Sequence, residues 1–186
     1  TATPVTGLAK VLMPVPDGHP DVFDTSWPVR MADVDRDGRL RFDGACRHIQ
    51  DIGQDQLRQM GYEEVHPAWV VRRTMVDLIR PFERGDILRL RRWCSGTSNR
   101  WCEMRVRIDG RKGGLMESEA FWININLDTQ GPARISDDFV AGLKRTATTD
   151  RLRWKGYLKA GGRDDAVPQE EPKSCSIDNP DCEACQ

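Results

Sequence analysis

The chain has 186 residues, and its 28 Lys+Arg against 29 Asp+Glu give a formal net charge of −1. That length supports one compact domain with a real core, and the even balance supplies no global field for nucleic acid or a membrane surface. No apolar run approaches the roughly 20 residues of a membrane span, and the opening TATPVTGLAK lacks a signal-peptide core. A cytoplasmic protein that binds no nucleic acid and has no membrane span is expected.

Residues 1–25 alternate proline with small and acidic residues and read as an N-terminal arm. SWPVRMADVD follows as a short strand, with Pro28 at a strand start or edge. DRDG has the composition of a turn. The run FDGACRHIQDIGQDQLRQMG then reads as a long helix, with Asp43 as its N-cap and Gly61 as its stop. Cys46, Ile49, Gly53, Leu57 and Met60 recur at helical spacing, with Ala45 and Ile52 beside them, and predict one buried face. Glycine inside a helix costs about 1 kcal/mol relative to alanine, so Gly53 marks close packing.

From Ala68 the period changes to two. AWVVRRTMVDLIRPF, GDILRLRRWCSGT, NRWCEMRVRIDG and GGLMESEAFWININL predict an antiparallel meander with one dry and one charged face. In that arrangement Arg105 and Arg107 meet Glu117 and Glu119 across strands. GPARISDDFVAGLKRT reads as a turn and a short helix capped by Ser136. Residues 26–160 form the expected domain. Residues 161–186 are an acidic, cysteine-containing tail with the composition of a disordered segment.

Cys46, Cys94 and Cys102 fall inside apolar patterns and read as small core residues. Cys175, Cys182 and Cys185 include a C-x-x-C element, but no histidine nearby completes the four ligands of a closed zinc site. No metal and no cofactor are expected. One long helix wrapped by a curved antiparallel sheet is an α+β single hotdog. A lone hotdog leaves a sheet edge or apolar rim uncovered, so a homodimer is expected.

AWVVRRTMVDLIRPFERGDILRLRRWCSGTSNRW, EAFWININLDTQGPARISDDF and the helix segment CRHIQDIGQDQLRQMG together resemble the first hotdog of the acyl-[acyl carrier protein] thioesterases. The resemblance covers residues 27 to about 146 and implies a thioesterase acting on acyl carrier protein or coenzyme A thioesters in fatty acid or polyketide biosynthesis. Two departures accompany it. Full-length members carry a second hotdog that supplies the Asp, Asn and His acting on the thioester, and no second set of strands follows here. Single-hotdog thioesterases place a catalytic Asp and a GHVN-like turn before the helix; in ADVDRDGRLRFDGA, Arg39 stands at the His and Arg41 at the Asn. Arginine cannot serve as a general base near neutral pH. The departures keep two other readings open, a non-catalytic acyl-binding module and a dehydratase or cyclase acting on a polyketide chain.

Hydrolysis requires a carboxylate or histidine to activate water, together with N–H groups near the thioester oxygen. The start of the helix supplies such N–H groups. The candidate catalytic residues are Asp43, His48 and Asp51, with Asp43 or Asp51 activating water and His48 as proton partner. His48, Asp51 and Asp55 share one helix flank, which reads first as a solvated rim with a weak ion pair. Gln50 and Gln54 are candidates for orienting water or the thioester carbonyl. Asn124 and Asn126 share a strand phase, lining an acyl or pantetheine tunnel or satisfying local backbone. Trp69, Trp93, Trp101 and Trp122 read as core, interface or tunnel wall. Arg72 and Arg73 point opposite ways in a strand. The outward one, with Arg89, Arg91 and Arg92, is a candidate basic surface for a phosphopantetheine arm or an acidic carrier protein.

Overall fold

The computed structural model describes residues 12–150 and 152. The expected tail and its three cysteines lie outside the described residues. Five strands form one antiparallel sheet: β1 (Phe23–Pro28), β2 (Trp69–Arg80), β3 (Ile87–Thr97), β4 (Trp101–Gly110) and β5 (Leu115–Asn124). Their spatial order is β1-β3-β4-β5-β2, and a long helix α1 (Phe42–Gln59) precedes β2 in the chain. A short helix α2 (Asp137–Lys144) follows β5. This is the hotdog arrangement.

The first strand begins earlier than SWPVRMADVD implied. Its Phe23 already pairs with Arg92, and Met31–Asp33 instead form a single 3-10 turn. Helix α1 starts after Arg41, which holds extended dihedrals and makes no side-chain capping bond. Asp43 is therefore not the cap. It lies inside the first turn, where its charge favours the positive end of the helix dipole. The helix stops at Met60, and Gly61 adopts φ 74, a left-handed conformation that costs glycine nothing.

The buried stripe of α1 is Gly44, Ala45, His48, Ile49, Ile52, Gly53 and Gln56, while Cys46, Leu57 and Met60 are half-buried. It is centred on the Ala45, Ile49, Ile52 and Gly53 side of the predicted face, and it carries two polar side chains. Ala45, Ile49 and Ile52 pack against Leu88, Leu90, Val106, Ile108 and Met116 on the inner face of the sheet. A second cluster joins Cys94, Cys102 and Met104 to Ile135, Phe139 and Leu143 around α2.

The outer face carries the expected ladder. Arg105 pairs with Glu119 at 2.8 Å and Arg107 with Glu117 at 3.5 Å, directly across β4 and β5. Arg91 binds Asp17 and Asp109, and Arg89 binds Asp24 through its Nε at 3.0 Å. Beyond Arg92, where β1 no longer runs alongside, Thr148, Thr149 and Leu152 lie along the edge of β3, with the Thr97 N–H donating to Thr149 O at 3.0 Å.

Strand β2 forms the other edge of the sheet. Register shifts at Val71/Arg73 and Leu78/Arg80 let it bulge against β5, and Val70, Met75 and Leu78 are exposed along it. The turn from β4 to β5 closes over the buried Phe82 ring. A Cβ at Gly114 would overlap Phe82 Cδ1, and one at Gly110 would overlap the Asp86 carboxylate.

Candidate functional site

A cavity of about 390 Å³ lies along the C-terminal half of α1. Its apolar walls are Leu57 on the helix, Trp69, Met104 and Trp122 on the inner face of the sheet, and Phe139 and Leu143 on α2. Gln50, Asp51 and Gln54, all exposed, form its open side. The Gln54 amide N–H donates to Glu63 Oε1 at 2.6 Å, tying the helix to the following loop.

His66 closes one end of this cavity. Its Nδ1 lies 3.2 Å from Asn124 Nδ2, its Nε2 lies 3.1 Å from Ser136 Oγ, and its ring stacks on Phe139. The Trp69 indole N–H donates to His66 O at 3.1 Å. Burial pushes the His66 pKa below its usual value. Asn124 is buried and also donates to Arg134 O at 3.1 Å, so its amide serves backbone and His66. Asn126 does not share that face. It lies beyond the end of β5 and its Oδ1 accepts the Asp128 and Thr129 N–H groups, because the turn that begins there needs those donors satisfied.

The wall also contains Arg92, which faces inward from β3. Its guanidinium donates to Gln56 Oε1, lies 5.7 Å from the Trp122 ring centroid and packs beside Gly53. A Cβ at the mid-helix glycine would meet this guanidinium at 3.5 Å, an ordinary contact rather than an overlap.

A second cavity, about 410 Å³, lies on the other flank of α1 and is lined by Trp27, Arg30, Asp33, Arg47, His48, Asp51, Gln54, Asp55 and Arg58. His48 is not on a solvated rim. It is buried, 5.7 Å from the Trp27 ring, and its Nε2 has no hydrogen-bond partner among the described residues. Burial lowers its pKa, with opposing pulls from Asp33 and Asp51, so the ring is neutral at neutral pH. Asp51 and Gln54 line both cavities, and Asp51 thus stands where they adjoin.

Asp43 stands apart from both. Arg41 Nε at 3.0 Å and Arg47 Nη1 at 2.8 Å bind its carboxylate and hold its pKa well below the usual range. A carboxylate so stabilised is a poor proton acceptor, and the first turn of α1 lines neither cavity. Arg72 falls in the β2 bulge and is exposed, while Arg73 lies across from Phe121 on the outer face. Neither lines either cavity. The single basic surface does not form either: Arg91 and Arg92 are buried on opposite faces, and Arg89 is neutralised by Asp24.

Among the described residues no group of three or more His, Cys, Asp or Glu side chains is placed to hold a metal. No helix among them is long and apolar enough to cross a membrane.

Fold and cavities together define a hotdog-fold protein with an apolar pocket between helix and sheet, opening beside a carboxylate. The chain belongs to the acyl-ACP thioesterase N-terminal domain family, whose profile matches residues 20–143. It is 42% identical over 137 residues to an uncharacterized protein of Mycobacterium tuberculosis, a match that spans 74% of this chain and 55% of the relative. The chain thus spans about half the length of the curated relatives it matches. Among solved structures it superposes on a hypothetical protein from Staphylococcus aureus in complex with CoA (12% identity, TM-score 0.62, 79% of this chain and 96% of that one). A predicted thioesterase from Bacillus stearothermophilus gives 17% identity and a TM-score of 0.59, over 70% of this chain and 99% of the other. An acyl-ACP thioesterase from Bacteroides thetaiotaomicron gives 17% identity and a TM-score of 0.56, over 61% and 49%. At these identities the likeness is one of fold.

Proposed function

We propose that this protein handles an acyl thioester of a carrier protein or coenzyme A, seats the acyl chain in the cavity between α1 and the sheet, and hydrolyses the thioester. The observation that carries this reading is the cavity itself: apolar along Leu57, Trp69, Met104, Trp122 and Phe139, open to solvent beside Gln50, Asp51 and Gln54, and polar inside at His66 and Arg92. Membership of the acyl-ACP thioesterase N-terminal domain family supports it independently.

In the proposed step Asp51 accepts a proton from water as the water oxygen adds to the thioester carbonyl carbon. The C–S bond then breaks, and the proton returns to the departing thiolate. Gln50 and Gln54 offer amide N–H groups to the carbonyl oxygen. His48, neutral and with no hydrogen-bond partner at Nε2 among the described residues, stands on the second flank as a proton relay. The open β2 edge, with Val70, Met75 and Leu78 exposed, is the surface on which a second copy would extend the sheet.

The exposure of Asp51 favours a second reading, an acyl-binding module without turnover, because an exposed carboxylate lacks the buried surroundings that tune a general base. Thiol release from octanoyl-coenzyme A and an octanoyl carrier protein separates the two. Hydrolysis predicts turnover that falls about 100-fold or more in Asp51→Asn with an unchanged circular dichroism spectrum. Binding without thiol release from any substrate would refute hydrolysis and leave the module.

A further inference from the structure

Only 7% of the Arg92 surface is exposed. The guanidinium has five N–H donors, and its one hydrogen bond among the described residues goes to the neutral Gln56 amide. The ionisable groups that act on it most are the thiols Cys102 and Cys94. Burial pushes both thiols up, Cys102 to about 12, so neither carries charge at neutral pH. Burial brings Arg92 itself only down to about 10, so it stays protonated.

Among the described residues no carboxylate pairs with Arg92. The arginines on the outer face are treated differently, since Arg89, Arg91, Arg105 and Arg107 each meet an Asp or Glu. A charge taken out of water without a counter-ion is unfavourable, and proteins rarely keep one for stability. Arg92 is also held ready. Gln56 fixes one arm, the Trp122 ring supports it, and the guanidinium lies against α1 at Gly53. A planar fork fixed in this way matches a carboxylate through two parallel N–H···O bonds.

We propose that the group this cavity takes carries its own carboxylate, bound by Arg92, so that the substrate is the half-thioester of a dicarboxylic acid rather than a plain fatty acyl thioester. The thioester half rests on the function proposed above; the carboxylate site does not.

The test uses the full chain and needs no variant for its first arm. Calorimetry compares octanoate with octanamide, its neutral isostere, and thiol release compares suberyl- with octanoyl-coenzyme A. Octanoate should bind at least about tenfold more tightly than octanamide, and suberyl-coenzyme A should have the higher kcat/KM by a similar factor. Arg92→Met should abolish the octanoate preference while keeping octanamide binding and the melting temperature. Equal affinity for octanoate and octanamide, binding of neither, or a preference that survives in Arg92→Met would each overturn the proposal. Carboxylate discrimination without thiol release would sustain the Arg92 site and remove the thioesterase reading. Thiol release from octanoyl-coenzyme A without discrimination would do the reverse.

Discussion

Arg91 and Arg92 are consecutive residues of β3, equally buried at 6% and 7% exposure, and they face opposite sides of one sheet. On the outer side Arg91 meets two carboxylates, Asp17 and Asp109. On the inner side Arg92 meets an amide and an indole. Burial disfavours both charges. At Arg91 the bonds from Asp17 and Asp109 outweigh it and hold the pKa above its usual value, whereas at Arg92 the pKa comes down. On the outer face of β3 and β4, Arg89, Arg91, Arg105 and Arg107 are each met by a carboxylate. Beside the cavity, no carboxylate among the described residues meets Arg92.

The largest expected effect lies on the outer face. Asp17→Asn combined with Asp109→Asn strands a buried guanidinium and should lower stability by about 1–3 kcal/mol in urea melts. Both carboxylates are partly exposed, so water offsets part of the loss. No change would mean that outer pairing is ornamental and the contrast false. Gly53→Ala sharpens the inner half. The new Cβ meets Arg92 at ordinary contact distance, so the helix should gain about 1 kcal/mol while octanoate affinity declines. A loss of stability would show that Arg92 has no room to yield.

The smallest effect is one of pH. Burial holds the pKa values of His48 and His66 below their ordinary 6.5. As pH drops below 6.5 the unfolded chain takes up protons before the folded one, so stability declines until the folded pKa values are passed. His48→Gln with His66→Gln should flatten that slope in thermal melts recorded from pH 7 to pH 5.

Much of this contrast is legible in the amino-acid sequence. The β4 and β5 alternation places Arg105 and Arg107 opposite Glu119 and Glu117, because a period of two and a short turn determine the register. Gly53 suggests close packing, but a Cβ there would meet Arg92 only at ordinary contact distance. Arg92 itself stands in the apolar phase of Leu88 and Leu90, and that displaced charge is the signal for the cavity. Grouping it with the surface arginines by proximity obscures the phase. His66 carries no such mark. Its role depends on Asn124 and Ser136, which lie 58 and 70 residues away, and no local pattern encodes that meeting. Asp43 looks like a cap by residue type, yet the helix begins one residue earlier, and Arg41 and Arg47 claim its carboxylate.

The seam at Phe82 bears on how this sequence can change over generations. With the ring filling the space where a Gly114 side chain would go, and the Asp86 carboxylate filling that at Gly110, these positions cannot drift one at a time. A lineage that replaces Gly114 must shrink residue 82 in the same step or pass through a variant that cannot close the turn. Among descendants of a common ancestor, residues 82 and 114 should therefore change together, while the exposed Arg111 between the two glycines varies freely.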